Sequence, residues 1–118
     1  MKRRLGGGGK VYLATQGVDM RKQINGLAAI VQGEFDAELF DGSMFVFCNG
    51  SRNIIKILCW DKDGFVLYYK RRERGRFYWP RFGSGADETV SVSENDMNRL
   101  FAGLVMEQFV PKKNYAVI

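Results

Sequence analysis

Met44-Phe45-Val46-Phe47-Cys48, then Ile54-Ile55-Lys56-Ile57-Leu58-Cys59-Trp60, then Phe65-Val66-Leu67-Tyr68-Tyr69-Lys70: these three runs decide the fold. Each is dominated by β-branched and aromatic residues, which suit a pleated, half-buried backbone. The first link, Asn49-Gly50-Ser51-Arg52-Asn53, reads as a hairpin loop. The second, Asp61-Lys62-Asp63-Gly64, contains the Asp-Gly pair favoured in tight hairpins. Strands joined by such short links form an antiparallel meander over residues 44–70. Along the middle strand Ile55, Ile57 and Cys59 point one way and Lys56, Leu58 and Trp60 the other. Only Lys56 is polar, so both faces of the sheet are expected to be covered. Counting across a five-residue loop sets Cys48 opposite Ile54 rather than Cys59. The two cysteines are therefore expected as buried thiols, not as a disulfide.

On the N-terminal side, Val11-Tyr12-Leu13-Ala14 is a short strand that Gly17 breaks. Asp19 suits an N-cap, and Met20, Ile24, Leu27, Ala28, Val31 and Phe35 follow at helical spacing on one apolar face. Gly26 inside that helix costs about 1 kcal/mol relative to Ala, a cost usually tolerated where another element approaches closely. Gly33 is expected to end the helix. On the C-terminal side, residues 77–80 are expected to be extended and Thr89 to Val92 to form a brief strand. Ser93 then caps a second helix, with Asp96 in capping-box position and Met97, Leu100, Phe101 and Leu104 on its apolar face. The expected fold is α+β: an antiparallel sheet of four to six strands with two helices packed on it. Residues 1–9 are expected to form a flexible basic and Gly-rich arm, 10–110 a single domain, and 111–118 a frayed tail.

The 118 residues are 46% hydrophobic and 26% charged, enough to bury a core without disulfides or metal. The chain has no histidine, which removes Ser-His-Asp and Cys-His nucleophile systems and histidine-ligated metal sites. Two cysteines cannot build a zinc ribbon. No apolar stretch approaches the ~18 residues of a membrane span. The basic start has no apolar stretch behind it, so a signal peptide is not expected and the expected compartment is cytoplasmic. Gly6 to Gly9 followed by Lys10 imitates the end of a phosphate-binding loop. That loop would need Gly where Arg4 stands, Ser or Thr where Val11 stands, and a strand before it. Residues 42–47 look like part of an RNA-recognition motif but lack aromatics at its offsets.

One ordered series of motifs carries a family resemblance. It runs Asp19-Met20-Arg21-Lys22, Gly26-Leu27-Ala28, Phe45-Val46-Phe47-Cys48-Asn49, Ile55-Lys56-Ile57-Leu58, Trp60-Asp61 and Asp63-Gly64-Phe65. It continues through Tyr68-Tyr69-Lys70-Arg71 and Glu73-Arg74-Gly75-Arg76-Phe77 to Trp79-Pro80. No single motif is decisive, but the ordered sum, over residues 11–105, resembles the TnpB-type accessory proteins. These are encoded by the second reading frame of the sixty-six family of bacterial insertion sequences, and are unrelated to the RNA-guided nuclease of the same label. The resemblance implies a role in DNA transposition beside a separate, larger transposase, and implies no catalytic activity or cofactor. The chain departs from the pattern at Gln23, where the family carries Gly. It departs again at Gly50-Ser51-Arg52-Asn53-Ile54, where the family carries Arg-Arg-Arg-Asp-Arg.

Lys and Arg number eighteen against thirteen Asp and Glu, a net charge of +5 that favours an anionic partner. The cations concentrate in residues 68–82: Lys70, Arg71, Arg72, Arg74, Arg76 and Arg81, interleaved with Tyr68, Tyr69, Phe77, Tyr78, Trp79 and Phe82. Arginines fork onto phosphate oxygens and aromatics stack on exposed bases, so this segment is the candidate DNA-binding site, with Tyr78 its candidate stacking residue. The alternatives to nucleic acid are an acidic protein surface such as the transposase, and a solvated loop whose aromatics turn into the core. Arg52 in the hairpin loop, and Arg21 and Lys22 in the expected first helical turn, could add phosphate contacts. Cations in a first turn oppose the helix dipole, and that broken rule marks them. Asp61 and Asp63 could hold Mg²⁺ for a nuclease if a third carboxylate stood within ~5 Å, but Asp is also what such turns prefer. The expected partners are the ends of the mobile element, the transposase, or both. A protein-only subunit would instead show an exposed apolar patch.

Overall fold

The computed structural model describes residues 10–35, 37–80, 82, 83 and 94–102. The basic arm, the tail, the strand expected at 89–92, the cap at Ser93 and the site residue Arg81 lie outside them.

A mixed four-stranded sheet organises the chain, in the spatial order β1-β2-β3-β4. The strands are β1 (Val11–Leu13), β2 (Met44–Cys48), β3 (Ile54–Asp61) and β4 (Gly64–Arg71). β2 pairs antiparallel with β3 and β3 with β4, Val46 opposite Ile57 and Ile57 opposite Tyr68. β1 runs parallel to β2, with Tyr12 beside Phe45 and their rings stacked 5.2 Å apart. The wholly antiparallel sheet expected from the sequence is corrected at this edge. A helix, α1 (Ile24–Ile30), lies between β1 and β2. A crossover of that kind returns the chain in the same direction, which a hairpin cannot do.

The β2–β3 hairpin is one residue tighter than the sequence count. Cys48 faces Ile55, and the Asn49 N–H donates to the Ile54 carbonyl at 3.2 Å. The Asn49 side chain closes the loop, its Oδ1 accepting the N–H of Asn53 at 3.0 Å and of Ile54 at 3.1 Å. Arg52 supplies the left-handed residue at φ 58°. Cys48 and Cys59 are buried free thiols, and burial pushes them up to about 12 and about 11.

Alternation along the strands fills two cores. On one face Met44, Val46, Cys48, Ile55, Ile57 and Cys59 gather with Tyr68, Phe77 and Trp79, and Leu100 of α2 (Glu94–Phe101) joins them. On the other, Phe45, Phe47 and Leu58 meet Leu27 and Val31, with Met20, Ile24, Ala28 and Phe35 at the margin. The apolar face read from the helical spacing is the face that packs.

Three local expectations change. α1 starts at Ile24, with Gln23 at its N-cap making no side-chain cap bond. Asp19 instead closes a turn of its own, taking the Arg21 N–H on Oδ1 at 2.9 Å while its carbonyl takes the Lys22 N–H at 3.1 Å. Arg21 and Lys22 therefore precede the helix and do not oppose its dipole from within. Gly33 does not stop the helix, which widens into a π-helical turn over Val31–Phe35. That turn sets Phe35 against Phe45 and Phe47, with ring centres 6.2 and 5.8 Å away. Gly26 makes room for the stem of Lys22 rather than for another element, since a methyl group there would sit 3.2 Å from Lys22 Cβ. Among the described residues no helix is long and apolar enough to cross a membrane.

Candidate nucleic-acid interface

Sheet topology gathers cations that are far apart in sequence. Because β1 and β2 are parallel, the loop after β1 emerges at the end of the sheet where β2 turns into β3. The Val18 N–H donates to the Cys48 carbonyl at 2.8 Å. Gly17 lies so close that a methyl group on it would sit 2.8 Å from the Gly50 nitrogen. β4 finishes at the same end, Arg71 opposite Ile54. The chain beyond it is stitched to the hairpin, Arg72 N–H to Asn53 carbonyl at 2.8 Å and Phe77 N–H to Arg52 carbonyl at 2.7 Å. Arg21, Lys22, Arg52, Lys70, Arg71, Arg72, Arg74 and Arg76 thus share one end of the molecule. Among the described residues the acids at this end are Asp19 and Glu73, with Glu34 at the flank beside Gln16 and Gly17.

The side chains differ in how far they are committed. Arg21 is exposed and held by Asp19 at 2.7 Å. That guanidinium, together with the Arg21 N–H, holds the Asp19 carboxyl down at about 2. Arg71 pairs with Glu73 at 2.8 Å, both exposed. The Arg72 Nε donates to the Arg74 carbonyl at 3.0 Å, and its guanidinium lies 5.6 Å from the Phe77 ring centre. Arg52 is half-buried over Phe82 at 5.4 Å. Lys22, Arg74 and Arg76 are exposed. Exposed pairs of this kind add little to stability, so their guanidinium groups can exchange a carboxylate for a phosphate at small cost.

The aromatics of this segment mostly serve the core. Tyr68, Phe77 and Trp79 are buried, and the Trp79 Nε1 donates to the Ala14 carbonyl at 2.8 Å. This bond carries residues 77–80 back across the sheet, so they add no strand. Tyr78 is half-buried, with the Arg99 guanidinium 3.9 Å from its ring centre. It is not an open stacking platform in this arrangement. Tyr69, on the other face, is 51% exposed.

Two contributors were not legible as such. Arg99 of α2 joins the segment through Tyr78, and no spacing in the sequence links residues 78 and 99. Lys56 is buried, yet its ammonium donates to the carbonyls of Met20 at 2.8 Å and Lys22 at 2.7 Å. It holds the loop before α1 so that Arg21 and Lys22 face solvent. Its polarity in an apolar strand was the available signal. Asp61 and Asp63 sit at the opposite end, in the β3–β4 turn, where the Asp63 N–H reaches the Asp61 carbonyl at 2.6 Å. Among the described residues no group of three potential metal ligands gathers.

A family model described as IS66 Orf2-like protein matches residues 9–111, nearly the whole chain. The chain belongs to the IS66 Orf2-like family. Two relatives come from Sinorhizobium fredii (strain NBRC 101917 / NGR234), the uncharacterized proteins y4hO and y4jC. The first is 35% identical over 95 residues, covering 80% of each chain. The second is 34% identical over 95 residues, covering 80% of this chain and 79% of its own. No solved structure matches this IS66 Orf2-like chain significantly.

Proposed function

We propose that this IS66 Orf2-like protein is a non-enzymatic accessory factor in DNA transposition that binds DNA through the basic end of its sheet. Family membership supports the transposition role. The observation that carries the DNA reading is the convergence of eight cations from three separate segments on one end of the molecule. The exposed arginines of residues 71–76 track a phosphate backbone, and Arg21, Lys22 and Arg52 extend the contact. With most nearby rings committed to the core, affinity comes from phosphate contacts more than from base stacking. Sequence choice, where present, comes from DNA shape.

The test is a fluorescence-anisotropy titration against duplex DNA from an element terminus and a scrambled duplex, at two salt concentrations. We expect binding to both that weakens steeply with salt. Replacing Arg71, Arg72 and Arg74 by Ala should reduce the log–log salt slope by about 3 if each meets a phosphate. Absence of binding at low salt would overturn the DNA reading and leave the transposase as the direct partner.

A further inference from the structure

One exposed ring stands within the basic end. Tyr69 is 51% exposed and lies on β4, the edge strand of the sheet, opposite Lys56 of β3. Phe40, the other large apolar side chain exposed among the described residues, packs on Trp60 and Phe65 in an aromatic triad at the far end, with ring centres 5.0 Å (Phe40–Trp60), 5.8 Å (Phe40–Phe65) and 5.1 Å (Trp60–Phe65) apart. The cations around Tyr69 are fixed by contacts. The Lys56 ammonium lies 5.6 Å from the Tyr69 ring centre, and the same ammonium holds the carbonyls of Met20 and Lys22. One lysine thus joins the ring to the loop that carries Arg21 and Lys22. Arg71 follows two residues along β4, so its side chain leaves the strand on the same face as Tyr69. The Arg71 guanidinium is held above its ordinary value by Glu73 first and by the Tyr69 oxygen next, which sets those two side chains near each other. Lys22, Tyr69, Arg71 and Glu73 are all exposed, and Glu73 is the acid paired with Arg71.

We infer that Tyr69 stacks on an unpaired base, so that the basic end takes a single strand continuing from a duplex. The inference rests on the DNA reading above and deepens it. A base inside a duplex is covered on both faces by its neighbours, and only an unpaired one can offer a face to a tyrosine. The phosphates flanking that base then fall to Lys22 and Arg71. A nucleotide carries both chemistries that this patch offers, a π face and an anion. A plain duplex satisfies the cations and leaves the ring in water. An acidic peptide also satisfies the cations, but it meets the ring only where it brings an aromatic side chain beside its carboxylates. Tyr69 thereby takes the stacking role that the sequence assigned to Tyr78, whose ring is occupied by the Arg99 guanidinium. Lys56 is a positioning residue for this site, because it steadies the ring and the Lys22 loop together.

The experiment titrates the full chain, at low salt, against three fluorescein-labelled DNAs. These are a blunt duplex, the same duplex with an extension of about six thymidines, and one whose extension has the same phosphates but no bases. The thymidine extension should bind about tenfold more tightly than the abasic one. In Tyr69→Leu, which keeps an apolar side chain on the strand, that difference should vanish while the blunt duplex binds as in the wild type. Tyr69→Phe should keep the difference, and both variants should keep the native circular dichroism. The abasic comparison is made on the unaltered protein, so it decides even where a variant folds poorly. Equal wild-type affinity for the thymidine and abasic extensions overturns the inference and leaves the duplex reading standing. A thymidine preference that survives in folded Tyr69→Leu overturns it too, since the base would then stack elsewhere. Binding of none of the three DNAs removes the DNA reading and this inference with it. A glutamate–tyrosine peptide that binds more tightly than the extended duplex, and loses that affinity in Tyr69→Leu, would overturn it in favour of a protein partner.

Discussion

Lys56 ties the loop before α1 to the middle of the sheet by donating to two carbonyls that precede the helix. Replacing it with Met would keep the stem and leave the Met20 and Lys22 carbonyls without that donor. The expected loss is roughly 1–3 kcal/mol in chemical denaturation, with weaker DNA binding because Arg21 and Lys22 lose their platform. Asp19 gives a pH signature at the same scale. Its folded value of about 2 lies below the ordinary 3.8. The stability it contributes is therefore fully present above 3.8 and is lost as pH falls through 2. NMR titration should find the Asp19 midpoint near 2, returning toward 3.8 in Arg21→Ala. A midpoint unchanged by that substitution would mean that the pair does not form in solution. One lysine in an otherwise apolar strand was legible as unusual. Its acceptors were not, because they lie 34 and 36 residues away and are carbonyls, which carry no side-chain signature.

The three long strands announced themselves through composition, and their faces through strict alternation. β1 did not announce its direction, because three residues contain no information about their neighbour and only the crossover sets it. The start of α1 was misplaced because Asp19 satisfies two turn donors locally, and the same side chain also caps helices. The contact between the loop after β1 and the β2–β3 hairpin was hidden as well. Gly17 reads as a strand breaker, yet its larger role is to let two backbones touch, 2.8 Å from a built methyl group to the Gly50 nitrogen. Backbone cannot yield as a flexible side chain can. Gly17→Ala should thus cost about 1–3 kcal/mol and separate the Arg21 loop from the Arg52 loop. Equilibrium unfolding together with DNA affinity would read both effects. A neutral Gly17→Ala would show that the two loops are not in register.

The whole molecule is polar end to end. Arginines from three segments occupy one end and the Phe40, Trp60 and Phe65 rings the other, with two apolar cores between them. The arginine-rich segment was legible as a run in the sequence. Its union with Arg21, Lys22 and Arg52 was not, because that union depends on β1 lying parallel to β2. The triad was likewise hidden, since Phe40 stands some twenty residues from its partners. α2 closes one core through Leu100, packed with Phe77 and Trp79. A chain ending at Arg81 would lose that cover, so we expect it to show no cooperative unfolding transition and to aggregate. A cooperative melt in that fragment would mean that the sheet closes without its second helix.

The most direct test of the central claim maps duplex DNA onto the backbone by two-dimensional amide NMR of the full chain. Chemical-shift changes should cluster at Arg21 and Lys22, at residues 49–54 and at 70–77, while residues 38–41 and 60–65 stay unmoved. Changes centred on the aromatic triad, or none at low salt, would contradict the assignment of the basic end as the DNA surface.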